Sequence, residues 1–560
     1  MRNSFPLTRA PARAPAGRAR PVGWSLALWL IALVVAAPIL LVLGSLFVPQ
    51  GETWRHLAET VLPRYLVNSL LLTLGVGAGT ALIGTATAWL VTMCRFPGRR
   101  LLEWALLLPM AFPAYILAYV YTDALQYAGP LQSALRSSFG LSAGEYFFPD
   151  IRSLGGAVLL LVLAFYPYVY LLARSAFLSQ SLSLLEASIC LCSGPWESFR
   201  RVSLPLARPA IMAGVALALM ETLSDFGTVE YFGVQTFTTG IYRTWFGMGE
   251  RVAAAQLAAW LLVFVLALLA LERRSRRTLL LPRGELSRLK PLRRYPLAPA
   301  SALLALAACA TPVLLGFVLP ALRLTALALG NADWSPSAAL WTYARHSLLL
   351  GGVGALAAVL VAVVLAYGRR VEPSFANRAL ARIAAMGYAV PGSVIAVSVV
   401  IGFGWLDARL NALGAPLGLT PGLLLSGSVA GLVFAYLVRF LTSAYGAVET
   451  GLERINPNLD DAGRSLGHRS LSRLGRIHLP LLRGSLLTAA LLVFADIIKE
   501  LPATLIVRPF NFDTLAVRVY RLASDERLLE ASGGALLIVL VGLLPVTVLS
   551  SAIAASRRRE

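Results

Sequence analysis

Lysine is almost missing from this 560-residue chain: Lys290 and Lys499 are the whole complement. Neither follows a glycine, so there is no GxxxxGKS or GxxxxGKT loop to cradle phosphates, and the chain cannot hydrolyse ATP by itself. It is not an enzyme on this reading, and energy for any driven process has to come from a partner. Cysteine is scarce too. Cys94, Cys190, Cys192 and Cys309 form no paired framework, and none falls in a segment read as lying outside the membrane, so no disulfide is needed. Cys190 and Cys192 lack zinc-type spacing and a matching pair, and suit packing as small hydrophobes. Charged residues make up only 14% of the sequence, and 28 acidic residues face 49 basic ones. The net charge of +21 would suit a nucleic-acid binder. The basic residues, however, are nearly all Arg, clustered between apolar blocks in the manner of membrane topology signals. No nucleic-acid partner is expected.

What is abundant is apolar sequence, 58% of the chain, in blocks of about twenty residues, the length a helix needs to cross a bilayer. The fold class is an all-α polytopic membrane protein of about twelve transmembrane helices. Spans are expected near 24–48, 66–92, 101–125, 154–178, 207–227 and 252–271, then near 297–320, 346–368, 381–405, 422–445, 484–507 and 532–555. The Arg-dotted first twenty residues resemble a signal n-region. The apolar run Trp24 to Val48 is too long for an h-region and lacks a clear cleavage site after it, so it reads as a retained first span. An even span count puts both termini on one side. Most basic residues fall on that side if it is the cytoplasm.

The second half repeats the first. Asn68-Ser-Leu-Leu-Leu corresponds to His346-Ser-Leu-Leu-Leu and Pro113 to Pro391, both 278 residues apart, and Leu204-Pro205-Leu206 corresponds to Leu479-Pro480-Leu481, 275 apart. Equivalent points are separated by an even number of spans, so the repeats are parallel, related by an axis along the membrane normal. The expected units are 1–271, a basic cytoplasmic linker 272–296 lying against the anionic leaflet, and 297–560.

A polar segment recurs at matched places, Glu186 to Pro205 and Asp461 to Pro480, both on the cytoplasmic side. Each opens on an acidic residue and Ala and closes on Leu-Pro. Beyond each segment, near the outer end of the next span, lie Glu221 and Asp225 in the first half, and Asp496, Lys499 and Glu500 in the second. The i, i+4 spacing of each carboxylate pair places both on one helical face, and ionisable groups at membrane depth usually face an interior or a water-filled path. Four carboxylates about a shared axis suit a cationic substrate, since hard cations take oxygen ligands. The competing reading is structural, with Lys499 paired to Glu500 or Asp496. Tyr166, Tyr168 and Tyr170 read as an interfacial aromatic belt rather than as iron-phenolate ligands. His468 and His478 lie in the second segment without a catalytic arrangement. No metal site is assigned with certainty.

The two polar segments resemble the cytoplasmic loop of ABC-importer permeases, whose pattern is Glu-Ala-Ala, three residues, Gly, nine residues, Ile, one residue, Leu-Pro. The second copy fits at Asp461, Ala462, Gly467, Ile477, Leu479 and Pro480, with Gly463 at the second Ala. The first fits at Glu186, Ala187, Leu204 and Pro205, with Ser188 and Val202 as mild changes and Cys192 in place of the turn glycine, so that the turn falls there or at Gly194. The resemblance implies that each loop is a short coupling helix seated on a separate ATP-binding subunit, two copies per chain, with ATP and Mg held there and no cofactor on this chain. Gly467 lets the chain turn, and Pro205 and Pro480 are expected to stop the cytoplasmic helix before the next span. The outer segment Thr228 to Arg243 and its counterpart Phe512 to Arg521 are expected to be exposed and to meet an extracytoplasmic solute-binding protein. Their wording resembles ferric-iron importer permeases with both halves fused. This implies iron import across a bacterial inner membrane by alternating access. The alternatives are a thiamine, sulfate, phosphonate or polyamine permease, an ion-coupled secondary transporter, and a non-conducting scaffold.

Overall fold

The computed structural model describes residues 22–49, 51–142, 145–180, 195–276, 294–330, 338–420 and 422–557. Eleven helices among them are long and apolar enough to cross a membrane, and a twelfth span is a helix pair, Arg99–Ala111 and Ala114–Phe139, bent by 92°. The all-α polytopic class read from the sequence is therefore the fold.

The bend has a local cause. The residue before a proline is pushed into extended backbone, and Phe112 obeys at ψ 123° before Pro113, which caps the next helix at ψ 137°. The ninth span breaks in the same way, with Val390 at ψ 123° ahead of Pro391. Irregular backbone at membrane depth survives where protein or a polar cavity satisfies it. Here the Gly392 amide donates to Ser224 Oγ of the other half, at 3.1 Å.

The repeat is visible element by element. Leu154–Leu178 recurs as Val429–Glu453 and Leu204–Ser224 as Leu479–Lys499, both displaced by 275 residues at each end. Even the tethers recur: Ser69 Oγ accepts from the Phe237 amide and Ser347 Oγ from the Leu515 amide, while Asn68 and His346 contact the Gln235 and Asp513 carbonyls.

The halves are laced together. The first span packs on Ala338–Val371, Phe375–Ala384 and Gly392–Gly414, all of the second half. Trp24 meets Tyr367 edge-on at 5.2 Å and donates to Ser470 Oγ at 3.1 Å, and Ser25 bonds Glu372 and Asn377. In return the seventh span lies on the first half: Arg323 pairs with Asp123 at 2.7 Å, and Tyr121 donates to the Leu315 carbonyl at 2.6 Å.

Two expectations change here. Pro205 and Pro480 do not stop a helix. Each sits in the first turn of its span, and the helix continues into the segment before it through one widened turn, Phe199–Ser203 and Leu474–His478. Proline lacks an N–H, and a locally widened turn re-pairs the carbonyls left free without breaking the rod. Tyr166 and Tyr170 are fully buried rather than interfacial, with the Tyr170 hydroxyl on the Glu103 carbonyl at 2.6 Å.

Candidate functional site

The fifth and eleventh spans end at Ser224 and Lys499, and the chain then turns into the short helices Gly227–Tyr231 and Pro502–Val507. Asp225 and Glu500 are the turning residues, at φ −66°, ψ 133° and φ −70°, ψ 120°. They lie outside the helix, so the i, i+4 shared-face argument does not hold for them. The turn itself brings the four carboxylates together. Glu221, Asp225, Asp496, Lys499 and Glu500 all line one narrow cavity between the halves, with room of about 80 Å³ for a few waters or an ion. The broken third span supplies Pro113, Ala114 and Tyr115, and the fourth supplies Tyr168.

Most of this charge is engaged. Lys499 pairs with Asp496 at 2.8 Å, which answers the question left open by the sequence. Asp225 caps its short helix, accepting from the Thr228 amide at 3.0 Å, the Thr228 hydroxyl at 3.1 Å and the Val229 amide at 3.3 Å. Glu500 caps the equivalent helix through the Ala503 amide at 2.9 Å and pairs with Arg439 Nε at 3.4 Å. Arg439 comes from the tenth span and was missed in the sequence reading. Its signal was there, a charged residue in mid-span. Tyr388, beside the ninth-span break, lies near enough to Glu221 and Tyr168 to act on both electrostatically.

The outer segments are not exposed loops. Between Thr228 and Arg243 the buried residues include Thr228, Val229 and all of Phe237–Tyr242, and Leu515–Val517 are buried in the counterpart. Both fold inward as short helices buried along much of their length, and in the first Thr236 and Thr239 satisfy the helix start with a reciprocal capping box.

The second of the two matched polar segments is entered through a helix, Asn458–Ser465. It ends at Gly467 with φ +78°, where the Gly467 and His468 amides close back on the Arg464 and Gly463 carbonyls at 2.9 and 3.0 Å. The glycine serves as the turn that the sequence required. Gly463 is needed for space, since a Cβ there would lie 2.9 Å from Arg473 Cδ and 3.1 Å from Ile477 Cδ1. Asp461 and Ala462 are exposed, with Asp461 on Arg464 at 3.1 Å; Leu479 and Ile477 are half-buried and Pro480 is exposed. The inward acid is the neighbour, Asp460. It accepts from Arg370 and from His478 Nε2, at 2.8 and 2.9 Å, and its carbonyl accepts from Arg473 at 3.1 Å. Burial alone would raise the Asp460 carboxyl, but the bonds from Arg370 and His478 outweigh it and hold the group below the usual carboxylate range. In the first loop Glu186, Ala187, Cys190, Cys192 and Gly194 lie outside the described residues, as does 277–293 of the linker. Leu204 is half-buried and Pro205 exposed. Trp196 and Leu471, 275 residues apart, are both strongly exposed apolar residues beside these loops. Their signal was an apolar residue at matched positions of two polar segments.

The profile of the binding-protein-dependent transport system inner membrane component family matches residues 80–277 and again 354–559. The chain belongs to that family. This permease is 25% identical over 534 residues to the Fe(3+)-transport system permease protein FbpB 2 of Haemophilus influenzae, covering 93% of this chain and 97% of that one. It is 23% identical over 532 residues to the ferric transport system permease protein FbpB of Actinobacillus pleuropneumoniae, covering 89% and 72%. A shorter likeness, 31% over 149 residues and 27% of this permease, is to the molybdenum transport system permease protein ModB of Escherichia coli, of which it covers 62%. The double match makes this permease a two-repeat transport subunit that spans the membrane many times.

Gly467→Asp forces a side chain into the left-handed region, at about 1 kcal/mol or more. Nothing lies within 4 Å of the Cβ position, so the fold should persist. ATP-driven transport by the assembled complex is expected to fall sharply while the variant inserts and purifies normally. Full transport would remove the coupling role of this turn.

Proposed function

We propose that this chain is the transmembrane subunit of an ATP-driven importer that carries ferric iron into the cytoplasm. The observation that carries the substrate is the end-to-end match to a two-repeat permease whose name states Fe(3+) transport, 97% of that protein being covered. The halves, 1–271 and 297–560 about the linker 272–296, act as the two rocking bodies of an alternating-access cycle. Two copies of an ATP-binding subunit, holding ATP and Mg, dock at the matched cytoplasmic loops. The second loop offers Asp461, Arg464, Leu466 and Leu471 outward while Asp460 fastens it from behind. Their binding draws the loops together and opens the central cavity outward. A solute-binding protein then delivers iron over the short helices of the outer segments. Both termini face the cytoplasm on the Arg distribution, and the membrane is the bacterial inner membrane.

The cavity chemistry agrees with a cation. Its walls carry four carboxylates against one lysine and one arginine. The test is reconstitution in vesicles with the ATP-binding subunit and one candidate binding protein at a time. Ferric-loaded binding protein is expected to stimulate ATP hydrolysis and load radioiron into the vesicles, and a thiamine- or phosphonate-loaded one is not. The reverse pattern would overturn the iron assignment and leave the permease class intact.

A further inference from the structure

Counting the cavity's charges one by one singles out a residue. Asp496 is neutralised by Lys499 at 2.8 Å, Glu500 by Arg439 at 3.4 Å, and Asp225 is spent on the Thr228 and Val229 amides. Glu221 alone among the four makes no ion pair within 4 Å and caps no helix among the described residues; Lys499 and Arg439 act on it only through space, and the Tyr388 phenol lies near it. On the same cavity wall, Tyr115 is only 4% exposed and its hydroxyl has no hydrogen-bond partner among the described residues. A buried phenol left unpaired is costly, and a lining residue of a polar cavity can recover that cost from a ligand. Among the described residues no three His, Cys, Asp or Glu side chains converge as a metal cage, so the oxygen donors available to a passing ion are the one carboxylate outside an ion pair or helix cap and the phenols around it.

We propose that Glu221 is the charged ligand that holds a hard trivalent cation in transit, with the phenols of Tyr168 and Tyr115 as further oxygen donors. This rests on the ferric reading above and narrows it from four carboxylates to one. The chemistry is coherent: carboxylate and phenol oxygens are hard donors, and a phenol that ligates releases its proton to cavity water. The weakness of the set is useful. A conduction site has to bind well enough to accept the ion and loosely enough to release it. Four free carboxylates would trap a trivalent ion, and pairing three of them elsewhere avoids this.

The same reconstituted complex tests it, with ferric-loaded binding protein outside the vesicles. Glu221→Gln and the double variant Tyr115→Phe/Tyr168→Phe are expected to lower radioiron uptake about tenfold or more, the scale of losing a metal contact. Stimulated ATP hydrolysis is expected to stay within about twofold of the unsubstituted complex, because docking and coupling lie elsewhere. Wild-type uptake in both ligand variants overturns the assignment of Glu221 and its phenols while leaving iron transport standing. Loss of uptake together with loss of ATP stimulation makes the residues structural and also overturns it. If the unsubstituted complex takes up no iron but does take up another substrate, the ferric reading fails and the ligand assignment falls with it.

Discussion

Arg439→Met is expected to destabilise the protein by about 3–5 kcal/mol, the cost of leaving a buried carboxylate without its cation. The side chains of Arg439 and Glu500 are 7% and 5% exposed, so only the few waters the narrow cavity can hold are at hand to replace the lost interaction. The position 275 residues earlier is Ala164, and the first half manages its equivalent carboxylate, Asp225, with the Thr228 hydroxyl and two amides alone. The cation is therefore particular to the second half, where Glu500 has one amide to accept from, that of Ala503. Thermal unfolding in detergent checks this. The single Arg439→Met variant should melt lowest, and adding Glu500→Gln should restore a large part of the loss, because a neutral amide no longer needs a cation. A single variant melting at the wild-type temperature would show the pair to be dispensable.

Asp460→Asn should loosen the second coupling helix by about 2–3 kcal/mol, somewhat less than a fully buried pair because the carboxylate keeps some contact with water. Asp460 ties three elements together: Arg370 from the end of the eighth span, His478 from the start of the eleventh, and through its carbonyl Arg473. Arg370 also donates to the Leu452 and Ile455 carbonyls, closing the end of the tenth span. A force applied to the loop therefore reaches three spans at once. The expected readout is an ATP-binding subunit that still hydrolyses ATP with weakened stimulation by loaded binding protein, and faster proteolysis between residues 454 and 476. Unchanged stimulation would separate Asp460 from coupling. Because the folded carboxyl lies below its ordinary value, its contribution is complete above that value and disappears only as pH falls through the lowered one. Coupling through this contact should be flat from about pH 7 to 8, where the His478 imidazole, held below its ordinary value by burial, is neutral as well.

Much of this was readable without coordinates. Span positions follow from the length and polarity of the apolar runs, and the Pro113 and Pro391 correspondence marked the repeat, though not the break that each proline makes in its span. The three pairings inside the cavity were harder to see. The spacing of Glu221 and Asp225 suggested one helical face, whereas the helix ends at Ser224 and only the turn beyond it brings Asp225 to the cavity. Sequence spacing carries no record of where a rod stops. Asp461 drew attention because it aligns with Glu186, but alignment cannot say which of two adjacent acids points inward, and Asp460 does. Its own counterpart is Leu185, which lies outside the described residues. The outer segments were misread for a related reason. Polar, Thr-rich sequence suggests exposure, yet Thr236 and Thr239 spend their hydroxyls on their own backbone and so can be buried.

The lacing of the halves bears on how the chain is made. Leu28, Ala32 and Val35 of the first span are buried against helices that begin at Ala338 and end at Gly414. A ribosome delivers those partners some three hundred residues after the span they cover. For that interval the first span has the sixth span, Arg251–Arg276, of its own half beside it, while the face it turns to the second half waits uncovered. Fusing the two repeats in one polypeptide makes certain that the missing partner arrives, once per chain and in the same patch of membrane.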